Sequence, residues 1–318
     1  MIEPSGPNPM DGLSISERYY YLQGAPLLSA RFPELLPQIA AGLVGEGSEC
    51  FRFDDQFSRD HDWGPAFCLW LEEKDFREFG PKLRKALSKL PGEWEGLSVR
   101  SEAMALGDRV GVMPIGQFYR KFTGWNHLPT LPQEWLQIPE QALAACTNGQ
   151  IFCDPLGSFT RLRMGLLAHY PEPVRLRKLE ARCTGMAQSG QYNLLRSFRR
   201  GDEVAARMAE TEFIRHAISA AHLLARRYRP FYKWMHRSLL TLPGLGQVLH
   251  PLIKQLVRQQ DLTVDARAEA VEVICSLLIH ELRAQNLTQT RDGFLLAHAK
   301  DLRAQIDPSL QMLDPGLD

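Results

Sequence analysis

GEGSECFRFDDQFSRDHDWGP, residues 45–65, sets a Gly-Ser turn after one apolar run and an Asp-x-Asp pair before the next. The run ahead of it, Ile39 to Val44, is short, apolar and bounded by Pro37 and Gly45, which predicts a buried strand. The run behind it, from Asp60 to Leu71, starts acidic and turns apolar, which predicts a second strand. Residues i and i+2 of a strand share a face, so Asp60 and Asp62 are expected to project together, where two carboxylates can share a hard cation. Mg²⁺ or Mn²⁺ held this way suits phosphoryl chemistry, which needs metal and positioned donors more than covalent help from the protein. Gly47 lets the backbone approach a phosphate, and the Ser48 hydroxyl adds a donor. His61 falls between the two acids and points to the other face.

Outward from this segment, Ser14 is expected to cap a first helix, after a polar, Pro- and Gly-rich stretch, residues 1–12, read as a disordered tail. Glu72 to Leu90 carries helical periodicity, Arg109 to Ile115 predicts a third strand, and shorter helices are expected near 116–122 and 140–145. From about Pro173 every signal is helical, punctuated by Pro230, Pro243 and Gly244. The expected class is α+β: a mixed sheet with helices over residues 13–160, then an all-helical part over 161–318.

The chain has 318 residues, 37 basic and 37 acidic, so its formal net charge is zero. Neutrality argues against a long nucleic-acid groove along the whole chain. The balance is uneven, however: residues 161–260 hold 18 Lys/Arg against 6 Asp/Glu. An acidic part joined to a basic part suits metal on one wall and phosphate on the other, and equally a mere difference in solvated surface. None of the six cysteines makes a CxxC pair, so no zinc site is expected and the thiols read as reduced and buried. The N-terminal stretch has no secretory character and no apolar run reaches membrane-spanning length, so a soluble cytoplasmic protein without a membrane partner is expected.

The pattern of apolar strand, Gly-Ser, a gap of about ten residues and Asp-x-Asp resembles the signature of the DNA polymerase beta-like nucleotidyltransferases. The fuller set, with CDPLG at 153–157, GQYN at 190–193 and RYRPFYKW at 227–234, looks like the bacterial branch called domain of unknown function 4037. The resemblance implies a nucleoside triphosphate donor, a divalent metal on Asp60 and Asp62, and catalysis centred on those two acids. It also implies a third carboxylate on a later strand. Arg109–Ile115 contains none, and Glu46, Asp154 or the helical part stand open as sources of a base.

In the second half, Arg196 and Arg200 share a helix face if their stretch is helical, and Lys233 sits in an aromatic-basic cluster. With Gly47 and Ser48 they form the expected nucleotide-binding set, the cations facing the leaving pyrophosphate. A solvated helix face or plain packing would leave the same pattern. Neutrality favours a small-molecule acceptor, with RNA or protein open. The alternative is a nucleotide sensor that keeps the metal pair without turnover. The sequence leaves the oligomeric state open.

Overall fold

The computed structural model describes residues 11–59, 63–100, 109–258 and 263–316. The chain is α+β and divides into two units: residues 1–128 with 142–168, and residues 129–141 with 169–318. The second unit thus begins at 169 and takes in 129–141, a stretch the sequence pattern groups with the first part.

In the first unit α1 (Gly12–Tyr19) and α2 (Ala25–Arg31) flank a π-helical turn, and a 3₁₀ segment leads into β1 (Ala40–Leu43). Asp11, rather than Ser14, caps α1: its carboxylate accepts from the Ser14 N–H at 2.7 Å. The tail expected over residues 1–12 lies outside the described residues up to position 10, whereas Asp11 and Gly12 are the ordered start of α1. After β1 come β2 (Cys68–Leu71), α3 (Glu73–Leu87), the small hairpin β3 (Glu93–Trp94) and β4 (Leu97–Ser98), then β5 (Gly111–Pro114) and α4 (Ile115–Thr123). Next α5 (Pro132–Gln137) belongs to the second unit, α6 (Glu140–Thr147) spans the division, and β6 (Gln150–Cys153) and α7 (Ser158–Leu167) complete the first unit.

The four-stranded sheet has the order β5-β2-β1-β6. β2 runs parallel to β5 with Leu69 opposite Val112, while β1 is antiparallel to both β2 and β6. Every residue of β1, β2 and β5 is buried, which is why these strands read as unbroken apolar runs rather than alternating ones. Trp70 fills one side, stacked on Phe159 at 4.1 Å and edge-on to Phe118.

β2 is shorter than expected. Trp63 to Phe67 is irregular and the strand starts at Cys68. Gly64 has φ +141° with the Ser98 carbonyl where a Cβ would lie, and Pro65 has no N–H for a ladder. The strand argument for a shared face therefore does not extend back to Asp60 and Asp62.

The second unit is helical around α8 (Glu172–Met186), which continues through a π-helical stretch, Ala187–Leu194, into α9 (Leu195–Arg199). Then follow α10 (Glu203–Leu224), α11 (Tyr232–Ser238), α12 (Leu245–Arg258), α13 (Val264–Ala284), α14 (Leu295–Arg303) and α15 (Pro308–Gln311). Almost all of α8 is buried, its charges included, so each needs a partner. Arg175 pairs with Glu172 at 2.6 Å, Arg177 with Glu180, and Lys178 donates to the carbonyls of Pro315 and Gly316. All six cysteines are free, five of them buried.

Candidate functional site

At the end of β1 the chain turns sharply through Gly45, whose φ is +149°. The Asn148 side chain clamps this turn, accepting from the Gly45 N–H at 3.0 Å and donating to its carbonyl at 2.7 Å. Ser48 opens a single 3₁₀ turn, its carbonyl accepting from Phe51 and Phe53. Gly47 is required here: a Cβ would lie 2.3 Å from the Glu49 carboxylate. That carboxylate is only 3% exposed and pairs with Arg100 at 2.8 Å. Arg100 also donates to the Gly64 carbonyl at 3.2 Å and, from its backbone, to Pro65 at 3.0 Å. The glycine turn is thus tied to the segment that follows Asp62 in sequence.

The turn forms one wall of a small, solvent-open pocket. Glu46, Glu49, Arg100, Arg109, Lys121 and Phe118 are among the residues that line it. Glu49 and Arg100 neutralise one another, Arg109 lies 4.0 Å from Glu46, and Lys121 adds a third cation to the lining. Burial pushes the Cys50 thiol on this wall well above its ordinary value, with the Glu49 charge adding to the effect. A neutral, buried thiol is no nucleophile.

Gly47 lines this pocket, and Ser48 follows it in the turn without being one of the lining residues. Asp60 and Asp62, with His61 between them, lie outside the described residues. Among the described residues no group of three or more His, Cys, Asp or Glu is placed to hold a metal ion. Next to the acids, the Trp63 indole donates to Asp54 at 3.1 Å, and Arg59 covers its ring at 4.7 Å. β5 carries no acid, as its sequence indicates. Asp154 is a turn and cap residue, accepting from the Thr160 N–H at 2.7 Å.

Arg196, Arg200 and Lys233 all belong to the second unit and stand on separate stretches of it. Arg196 is exposed within α9, bonded to the Tyr192 hydroxyl and lying over its ring. Arg200 is exposed just past the end of that helix. Lys233 is exposed in the first turn of α11, 5.0 Å over the Trp234 ring. Gln191 of the GQYN stretch is structural: its amide bridges Glu272, Gly293 and Leu295.

Sequence reasoning missed Arg100, Arg109 and Lys121 as pocket residues. Arg109 carried a signal, standing at the mouth of a predicted strand. Arg100 and Lys121 carried none, because only the fold brings positions 100 and 121 to the turn at 45. Also missed was a buried charge cluster in the second unit. Glu140, 1% exposed, accepts from Arg182 at 2.8 Å and Ser219 at 2.8 and 3.0 Å, and pairs with Arg229 at 3.3 Å. Burial alone would raise this carboxyl, but Arg182, Lys178 and Arg229 outweigh it and hold it at about 2.

Residues 135–235 match the model of a protein family described as domain of unknown function DUF4037. The match takes in Glu140, Arg182, Ser219 and Arg229, the whole of that cluster. No curated protein and no solved structure matches the chain. Among the described residues, no helix is long and apolar enough to cross a membrane.

Proposed function

We propose that the chain is a metal-dependent nucleotidyltransferase, moving a nucleoside monophosphate from a nucleoside triphosphate to an acceptor. The observation that carries this is the clamped glycine turn at the end of β1, facing Arg100, Arg109 and Lys121 across an open pocket. Cations gathered on a pocket walled by a glycine turn suit a polyphosphate. We assign the phosphates to Gly47, Ser48 and the pocket cations Arg109 and Lys121, in place of Arg196, Arg200 and Lys233.

Asp60 and Asp62 offer hard oxygen donors one residue apart, the set that Mg²⁺ takes when phosphate oxygens complete its shell. When bound, the metal would offset charge on the phosphates undergoing transfer. The Glu49–Arg100 pair ties the turn to the Gly64–Pro65 segment, which follows the two acids in the chain. Glu46 lines the pocket outside the buried pair and is our choice for the base that takes the acceptor proton.

The decisive experiment supplies α-labelled nucleoside triphosphates, Mg²⁺ and a cell extract as acceptor pool. The wild type should transfer label, and the Asp60→Ala/Asp62→Ala variant, equally folded by circular dichroism, should not. Equal transfer by both would end the proposal. One observation favours a second reading, a nucleotide-binding module without turnover: β5 lacks the acid that such a site would place there. Metal-dependent nucleotide binding with no label transferred would select it.

A further inference from the structure

Between Phe213 and Gln260 the chain carries eight Lys/Arg and no Asp or Glu. Arg215, Arg226 and Arg229 pair with Glu212, Glu172 and Glu140, acids outside this run. The fold draws part of it into a stripe. Lys233 and His236 are three residues apart on α11 and so share a face. His236 Nε2 lies 2.9 Å from the His250 carbonyl oxygen, and the two rings stack at 4.1 Å. From His250 the stripe continues along α12 through Lys254 and Arg258, four and eight residues on. Lys233, Lys254 and Arg258 are exposed and the two imidazoles half-buried. Lys254 is close enough to His250 to help lower its pKa, behind burial and His236.

Beside the stripe, Tyr232 is 85% exposed, with Phe231 edge-on to its ring at 6.1 Å. Lys233 and Arg237 both lie over Trp234. The apolar face of α12 is already spent: Leu249, Ile253 and Leu256 are buried, and the helix packs on α13 and residues 239–241. A membrane-surface helix needs that face outward. What α12 offers to solvent is Lys254 and Arg258, with glutamines and the scattered Val248 and Val257 between them.

We propose that this stripe binds a single-stranded nucleic acid, with backbone phosphates on Lys233, Lys254 and Arg258 and one base stacked on Tyr232. Cations in file with an exposed aromatic ring are the pattern that tracks an unpaired strand, since every base has a face to stack. Lys254 and Arg258 stand about 6 Å apart along the helix axis, at 1.5 Å per residue. The binding requires no turnover, so it stands or falls separately from nucleotidyl transfer.

The test titrates the full chain into short fluorescein-labelled single-stranded RNA, single-stranded DNA of the same sequence, and the matching duplex, over a series of KCl concentrations. The wild type should prefer single strands, with log affinity falling linearly in log salt. The Lys254→Gln/Arg258→Gln variant should bind about tenfold or more weakly, with a salt slope shallower by about 1.4, or 0.7 for each lost phosphate contact. Tyr232→Ala should weaken binding with the slope unchanged, since stacking releases no counterions. All three positions are exposed, so the fold survives each change. RNA against DNA affinity identifies the strand. Absence of single-strand binding, an unchanged slope in the double variant, or capture by phosphatidylserine vesicles with none by nucleic acid would each overturn the proposal.

Discussion

Glu140 shows how much one residue can carry. It is a single buried carboxylate facing Arg182 and Arg229, themselves almost wholly buried, and Ser219. Its removal leaves cations in the core with neither water nor a counter-charge, which costs about 3–5 kcal/mol. Glu140→Ala and Glu140→Gln, which both remove the charge, should therefore each lower the urea midpoint of unfolding strongly. A Gln variant close to wild type would show that charge is not what matters there. Nothing in the sequence around Glu140 marks it, since its partners lie 42 and 79 positions away and further. Gly47 is the opposite case. The motif singled it out, and the structure supplies a reason: Gly47→Ala must push aside Glu49, which is fixed by Arg100. Overpacking of this kind costs about 1–3 kcal/mol. A melting temperature equal to wild type would count against that contact.

At the scale of elements, apolar runs located β1 and β5, and periodicity located α3 close to its observed limits. β6 went unread, because Gln150-Ile151-Phe152-Cys153 is a four-residue edge strand with only one residue fully buried. Its place is set by pairing with β1, where the register shifts between Ala41 and Gly42. The first helix shows how caps are misread. Ser14 is a good capping type, but Asp11 sits three residues ahead of it and takes the role. Asp11→Ala should cost about 1 kcal/mol in urea unfolding and Ser14→Ala much less. The reverse order would restore Ser14 as the cap. The π-helical stretch after α8 brings Gly190 against α10, where a Cβ would lie 2.2 Å from the Phe213 ring. Gly190→Ala should destabilise the second unit by roughly 1–3 kcal/mol, read as faster hydrogen exchange along α10. Exchange rates equal to wild type would show that the ring moves aside freely.

At the scale of the whole molecule, the buried histidines among the described residues all lie in the second unit. His169, His216 and His222 are each held near 4, below the ordinary 6.5, first by burial and then, for His169 and His216, by nearby arginines. Between about pH 4 and 6.5 the unfolded chain binds protons that the folded one refuses. Stability therefore falls as pH drops through that window, by roughly 1.4 kcal/mol per pH unit for each histidine. Glu140 adds loss below its unfolded value of 4.5, down to about 2. Hydrogen exchange should show helices α8 and α10 opening between pH 6.5 and 4.5, and His222→Gln should flatten the dependence by one proton. Exchange free energies that do not change across that window would refute the assignment.

The sequence by itself determined the class, the order of most elements and the glycine turn, because these rest on local periodicity, turn chemistry and short spacing. The two acids that the motif sets after that turn, Asp60 and Asp62, lie outside the described residues. The tertiary structure alone decided which cations meet the turn, where β2 begins, how α8 buries its charges, and that the helices at 232–258 align their cations. Each of these depends on contacts between positions far apart in the chain, and the energy that fixes them, burial and charge pairing, does not exist until the chain has folded.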